Sequence, residues 1–145
     1  MAMFVSTYGQ TITNFKLDEI ITETLSNKEI SVKDLICLKR YEDIFNNDTI
    51  LFYDNRAFIK DSSICEITVL TFKSTKYLWL TTELNCKESP VFTYNFPCST
   101  FKYKVLQENK IFIKNKCNIK NTYQLKFVEQ ITNDTKKYVF IRQMN

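Results

Sequence analysis

FKYKVLQENKIFIKNKCNIK, residues 101–120, sets six lysines against a single acid, Glu108, and threads Phe101, Tyr103 and Phe112 between them. Charged and apolar residues alternate on either side of residues 107–110, the pattern of a half-buried β-hairpin. Two alignments compete. A two-residue turn at Glu108-Asn109 sets Leu106 against Ile111, but it also sets Lys104 against Ile113 and Tyr103 against Lys114, so each face mixes charge with hydrophobe. A three-residue loop over 108–110 sets Val105 against Ile113, Lys104 against Lys114 and Lys102 against Lys116. Because burial of the apolar set decides register, the second alignment is expected. It gathers Lys102, Lys104, Lys114 and Lys116 around Phe112 on one wet face and sends Tyr103 inward. Like charges opposite one another are destabilising by roughly a few tenths of a kcal/mol per pair unless an anion sits between them. Lysines around an aromatic ring suit a single strand of nucleic acid, with phosphates on the ammonium groups and a base on the ring. An acidic protein surface would satisfy the same ladder, and lysine on an exposed strand also guards a sheet edge against aggregation.

Outward from this hairpin the same period of two continues. Strands are expected over 64–72, 77–84, 90–96, 122–130 and 136–143, joined by short polar turns that imply antiparallel neighbours. TILFY (49–53) and RAFIK (56–60) flank Asp54-Asn55, which suits a type I′ turn and would set Ile50 opposite Ile59 and Phe52 opposite Ala57. Phe92, Tyr94 and Phe96 share one face of a strand bracketed by Pro90 and Pro97, a face that either packs in the core or serves as a protein contact. Trp79 alternates with Tyr77 and Thr81, a packing position.

Before Thr49 the period lengthens. TNFKLDEIITETLSN (13–27) offers Thr13 or Asn14 as N-cap, Asp18 and Glu19 in the early turns, and Leu17, Ile20, Ile21 and Leu25 at helical spacing. Ser31 to Asp34 has the form of a capping box, and Val32, Leu35, Ile36, Tyr41, Ile44 and Phe45 make a second helical stripe that Asn46 and Asn47 stop. The expected fold is therefore α+β: two N-terminal amphipathic helices packed on an antiparallel β-meander of about eight or nine strands, barrel-like or a sandwich. A chain of 145 residues is the size of one domain, 1–145.

Composition removes many chemistries. With no histidine, neither a Ser-His-Asp nor a Cys-His nucleophile can be assembled. With Gly9 the only glycine, there is no Walker A loop, GxGxxG turn or GxSxG elbow. Glu19 with Glu23, and Glu42 beside Asp43, read as solvated helix faces, not as acid and base. No catalysis, cofactor or metal site is expected. Cys37, Cys65, Cys86, Cys98 and Cys117 form no CxxC pair and read as reduced thiols of an intracellular protein, in cytoplasm or nucleus. No apolar run of membrane-spanning length or leader pattern occurs, so Asn47-Asp48-Thr49 and Asn133-Asp134-Thr135 read as turn chemistry, not as glycosylation sites. Lysine outnumbers arginine 17 to 3, and lysine, asparagine and isoleucine are abundant, as AT-rich coding of a virus or similar element produces. Charge is uneven: residues 1–100 carry 10 basic and 13 acidic side chains, net −3, while 101–145 carry 10 and 3, net +7. The C-terminal third is a basic lobe, and so few arginines point away from base-edge readout.

The order of elements, a possible first strand over MFVSTYGQ, two helices and then a run of antiparallel strands, is similar in outline to the intracellular fatty-acid-binding barrels. That outline implies an internal apolar ligand. The chain departs from the family where it lacks the N-terminal Gly-x-Trp and the glycine-containing hairpins, and where Arg142 is followed by Gln143 and Met144 in place of Arg-x-Tyr. Two functions follow as expectations. The first is a non-enzymatic accessory protein, a subunit of a larger assembly, whose basic β surface contacts nucleic acid with little sequence selectivity or an acidic protein. The second is a barrel carrier of a lipid or other apolar ligand.

Overall fold

A computed structural model of the chain describes residues 10–26, 34–55, 65–84, 91–95 and 97–144. In order, these form β1 (Gln10–Ile12), α1 (Leu17–Ser26), β2 (Leu35–Cys37), α2 (Tyr41–Ile44), β3 (Thr49–Tyr53), β4 (Glu66–Phe72), β5 (Tyr77–Leu84), β6 (Val91–Thr93), β7 (Thr100–Leu106), β8 (Lys110–Lys114), β9 (Lys120–Thr132) and β10 (Thr135–Arg142). Strands β9, β10, β3, β2, β4, β5, β7 and β8 pair in that order, all antiparallel, and β8 pairs back onto β9. The result is a closed eight-stranded barrel. The expected α+β architecture is thus corrected to a mostly β one, 55% strand against 12% helix, with α2 a single turn. Sheet order also departs from a meander, because β10 lies beside β3 and β2 lies between β3 and β4.

The second expected helix fails for a physical reason. Leu35 and Cys37 point into the main core while Ile36 joins Ile67 and Val69 in a second buried cluster, so β2 is covered on both faces. A strand buried on both sides shows an unbroken apolar run that periodicity does not separate from a helical stripe. Residues 31–33 lie outside the described residues. The hairpin expected at Asp54-Asn55 has its second arm, 56–60, outside them too; β3 pairs with β10 and β2, which sets Phe140 opposite Ile50 and Tyr138 opposite Phe52. Asn133-Asp134 does form the tight β9–β10 turn.

The 101–120 hairpin closes through residues 107–109, with Glu108 and Asn109 at positive φ. Val105 faces Ile111, Tyr103 faces Ile113, Lys104 faces Phe112 and Lys102 faces Lys114. Relative to the expected alignment the strands are slid by two residues. A slip of two preserves which side each residue faces, so the lysines lie outside and Tyr103, Ile111 and Ile113 lie buried, while the lysine partners change.

Both barrel ends are plugged. The first N–H of α1, on Leu17, donates to Asn109 Oδ1 at 2.9 Å, so the cap comes from the β7–β8 turn and not from Thr13 or Asn14. This seats Leu17 and Ile21 in the core at that end. At the other end Ile44 is buried and Phe45 stacks on Phe101 with ring centroids 5.8 Å apart. Arg142 holds this end, donating to the Phe45 carbonyl at 2.9 Å and pairing with Asp48 at 2.6 Å. Phe52, Phe72, Leu78, Leu80, Tyr103 and Phe140 fill the lumen between the plugs.

The reading of the cysteines as reduced is also corrected. Cys98 and Cys117 are disulfide-bonded with Cα atoms 5.4 Å apart, and Cys65 is disulfide-bonded as well. Cys37 is a buried free thiol, and Cys86 lies outside the described residues. Spacing along the chain carried no sign of the Cys98–Cys117 bridge, because its partners meet only when the segment before β7 and the β8–β9 turn share one barrel end.

Candidate functional site

Three adjacent strands, β7, β8 and β9, make the most basic wall of the barrel. Cross-strand pairing lines up Tyr77, Lys102, Lys114 and Lys120 in a single row over β5, β7, β8 and β9. The next row holds Lys104, Phe112 and Thr122, and the one after it Leu106, Lys110 and Gln124. All point outward, since the residues that alternate with them, Phe101, Tyr103, Ile111, Ile113, Tyr123 and Leu125, are buried in the core. Lys116 follows in the β8–β9 turn, exposed. Lysines opposite one another at roughly 5 Å between neighbouring strands repel.

Of the acids in the C-terminal third, Glu108 pairs with Lys110 at 3.6 Å and Glu129 with Lys137 at 3.2 Å, away from the central row. Among the described residues, Lys102, Lys104, Lys114, Lys116 and Lys120 form no ion pair. Lys120 Nζ instead lies 6.0 Å from the centre of the Phe112 ring, a cation–π distance. The structure brings Lys102, Lys104, Phe112 and Lys114 together on the outer wall with Lys116 in the adjoining turn, and adds Lys120, whose place in the row depends on β8 pairing with β9.

An open groove of about 540 Å³ lies at the upper end of this wall, lined by Tyr77, Pro97, Thr100, Lys102, Lys114, Asn115 and Lys116. Its two sides are segment 97–100 and the start of the β8–β9 turn. Asn115 joins them: its Nδ2 donates to the Cys98 carbonyl at 2.9 Å, while its Oδ1 accepts from the N–H groups of Cys117 and Ile119 at 2.9 and 3.0 Å. The Tyr41 hydroxyl donates to the same Cys98 carbonyl at 2.7 Å, and burial pushes its pKa up to about 12, so it remains a donor. The disulfide completes the junction.

A strip of aromatic rings continues from the groove. β6 and β7 occupy successive stretches of one edge of β5, so Phe92 stands on the outer side with Glu83 and Trp79. Trp79 packs on Tyr94 at 4.7 Å between ring centroids, with Lys73 Nζ 4.2 Å from its ring. The Tyr94 hydroxyl is hydrogen-bonded to Thr100 Oγ1, which lines the groove. Phe92 is 59% exposed, and Tyr77 and Tyr94 are each about 40% exposed. Two features the sequence presented separately, the lysine hairpin and the strand of Phe92 and Tyr94, thus form one continuous surface. Phe96 lies outside the described residues. Nothing local in the sequence announced this union; it needs β5 to accept both β6 and β7.

The lumen offers less. Among the described residues its void measures about 40 Å³ and is lined by aliphatic and aromatic side chains, among them Phe45, Phe52, Leu78, Ile113 and Tyr123. On β7, β8 and β9, apolar inside and cationic outside is the inverse of a lipid-facing barrel wall. No helix among the described residues is long and apolar enough to cross a membrane. The chain matches no protein-family model, no curated protein and no solved structure.

Proposed function

We propose that this protein is a non-catalytic binding module that holds a polyanion against the outer wall of β7, β8 and β9, and that a single strand of nucleic acid, bound with little sequence selectivity, is the best-matched ligand. The observation that carries the reading is the row Lys102, Lys114 and Lys120, three cations held opposite one another with no ion pair to any of them among the described residues. An arrangement that is mildly unfavourable alone becomes favourable when phosphates enter and their counterions are released. The rings of Tyr77, Phe92 and Tyr94 beside the lysines supply faces on which bases stack whatever their identity. Lysine, a flexible point charge, provides charge without the bidentate base-edge contacts of arginine.

An acidic protein surface within a larger assembly is the second partner class, and the abundance of lysine, asparagine and isoleucine keeps a virus or other AT-rich element as the proposed source. The carrier reading gains a closed barrel but has little room for cargo: ligand pockets run upward from about 300 Å³, and the lumen void is about 40 Å³. The test is fluorescence anisotropy with a labelled oligothymidylate at low salt. Wild type is expected to bind, and replacing Lys102, Lys114 and Lys120 with Gln is expected to weaken binding by at least about tenfold. Indifference to the triple substitution would remove the nucleic-acid reading, and binding of a polyglutamate probe alone would transfer the site to an acidic protein.

A further inference from the structure

We propose that the Cys98–Cys117 disulfide is a redox latch on the lysine groove, holding its two sides together when closed and lowering polyanion affinity when a dithiol reductant opens it. The inference rests on the polyanion reading of this wall. Pro97 and Thr100 line one side of the groove and Lys116 the other, and the bridge joins Cys98, which lies between the first two in the chain, to Cys117, next to Lys116. Both sulfurs belong to half-buried residues at the barrel end, within reach of a reductant.

Opening is a thiol–disulfide exchange. A reductant thiolate attacks one sulfur, the Sγ–Sγ bond breaks, and the reductant's second thiol displaces the mixed disulfide. The protein gains two electrons and two protons as two cysteine thiols, and the reductant leaves as its own disulfide. Net charge is the same in the closed and open forms, so any change of affinity reports geometry.

The geometry changes because the groove is under opposed forces. Lys102, Lys114, Lys116 and Lys120 repel one another. Lys102, Lys114 and Lys120 are fixed by ladder hydrogen bonds of their strands, whereas Lys116 sits in the turn. With the bridge cut, the described hydrogen bond across the groove is the one from Asn115 Nδ2 to the Cys98 carbonyl. Repulsion then acts on the one lysine the barrel does not hold, and Lys116 leaves the anion.

The test uses the full chain and the labelled oligothymidylate. Affinity is compared for oxidised protein, protein reduced with dithiothreitol, reoxidised protein, and Cys98→Ser/Cys117→Ser, which leaves Cys65 bridged. The expected result is a roughly three- to tenfold weakening on reduction and in the double variant, the size of one or two lost phosphate contacts. Reoxidation restores wild type, and Lys116→Gln binds weakly in both redox states. Tyr41→Phe, which keeps the disulfide and removes the second donor to the Cys98 carbonyl, is a second probe: it loses more affinity than wild type on reduction. Equal affinity of the oxidised protein and a folded double variant overturns the latch and leaves the polyanion reading standing. Absence of binding in every form removes both.

Discussion

On the wall made by β2 and β4, the outward side chains Ile36, Ile67 and Val69 are at most 3% exposed; on the wall made by β7, β8 and β9, the outward side chains are Lys102, Lys104, Lys114 and Lys120, each in water. Both walls obey the same period of two and both have an apolar inner set. What differs is whether the outer set is removed from solvent. A wall covered on both sides contributes to stability through both faces and has no surface left to offer. A wall whose outer set is cationic, with no ion pair to Lys102, Lys104, Lys114 or Lys120 among the described residues, contributes through its inner face alone and leaves its outer face in solvent.

Four experiments probe this contrast. Ile67 is fully buried on the first wall, so Ile67→Ala is expected to cost about 2–5 kcal/mol in urea unfolding; a cost near zero would mean that this outer face is not packed.

Alkaline pH should act through the buried groups next. Burial pushes the Cys37 thiol from 9.0 up to about 11, so between these values the unfolded chain loses a proton that the folded one keeps. The stability supplied by the neutral thiol is therefore complete below about pH 9 and is lost as pH rises toward 11, with a slope on the order of 1 kcal/mol per pH unit. Cys37→Ala should flatten that slope in melts run across the same range, and an unchanged slope would deny the thiol its role.

Binding free energy should respond at the aromatic strip without a matching change in fold. Tyr77→Ala and Phe92→Ala are each expected to weaken oligothymidylate binding by about 1–3 kcal/mol if a base stacks there, with circular dichroism unchanged. Equal affinity would confine the site to the lysines. The smallest effect is the reverse of the first: Lys114→Gln relieves repulsion from Lys102 and Lys120 and should raise stability by roughly a few tenths of a kcal/mol. A loss of stability would mean that Lys114 has a structural partner.

How much of this was legible follows from which forces are local. The strands at β4, β5, β7, β8, β9 and β10 and the helix α1 are visible because each carries its own periodicity. The sorting of the 101–120 hairpin into wet and dry faces is visible for the same reason. Its pairing was not, because faces repeat every two residues and fix only whether the slip is odd or even. The remaining choice is made by Asn109, whose side chain caps α1 and whose carbonyl accepts the Leu125 N–H at 2.9 Å, contacts far along the chain. β2 was misread because burial on both faces erases alternation. The Cys98–Cys117 bridge, the place of Lys120 and the joining of Phe92 and Tyr94 to the lysine groove all depend on barrel closure, which no short window contains.

The decisive measurement is the salt dependence of oligothymidylate affinity. If about four phosphates are neutralised on this wall, the plot of log affinity against log salt should fall with a slope near −3, and each of Lys102→Gln, Lys114→Gln and Lys120→Gln should reduce its steepness by about 0.7. A flat plot, or a slope that ignores those three lysines while binding persists, would contradict the account and place the anion elsewhere on the molecule.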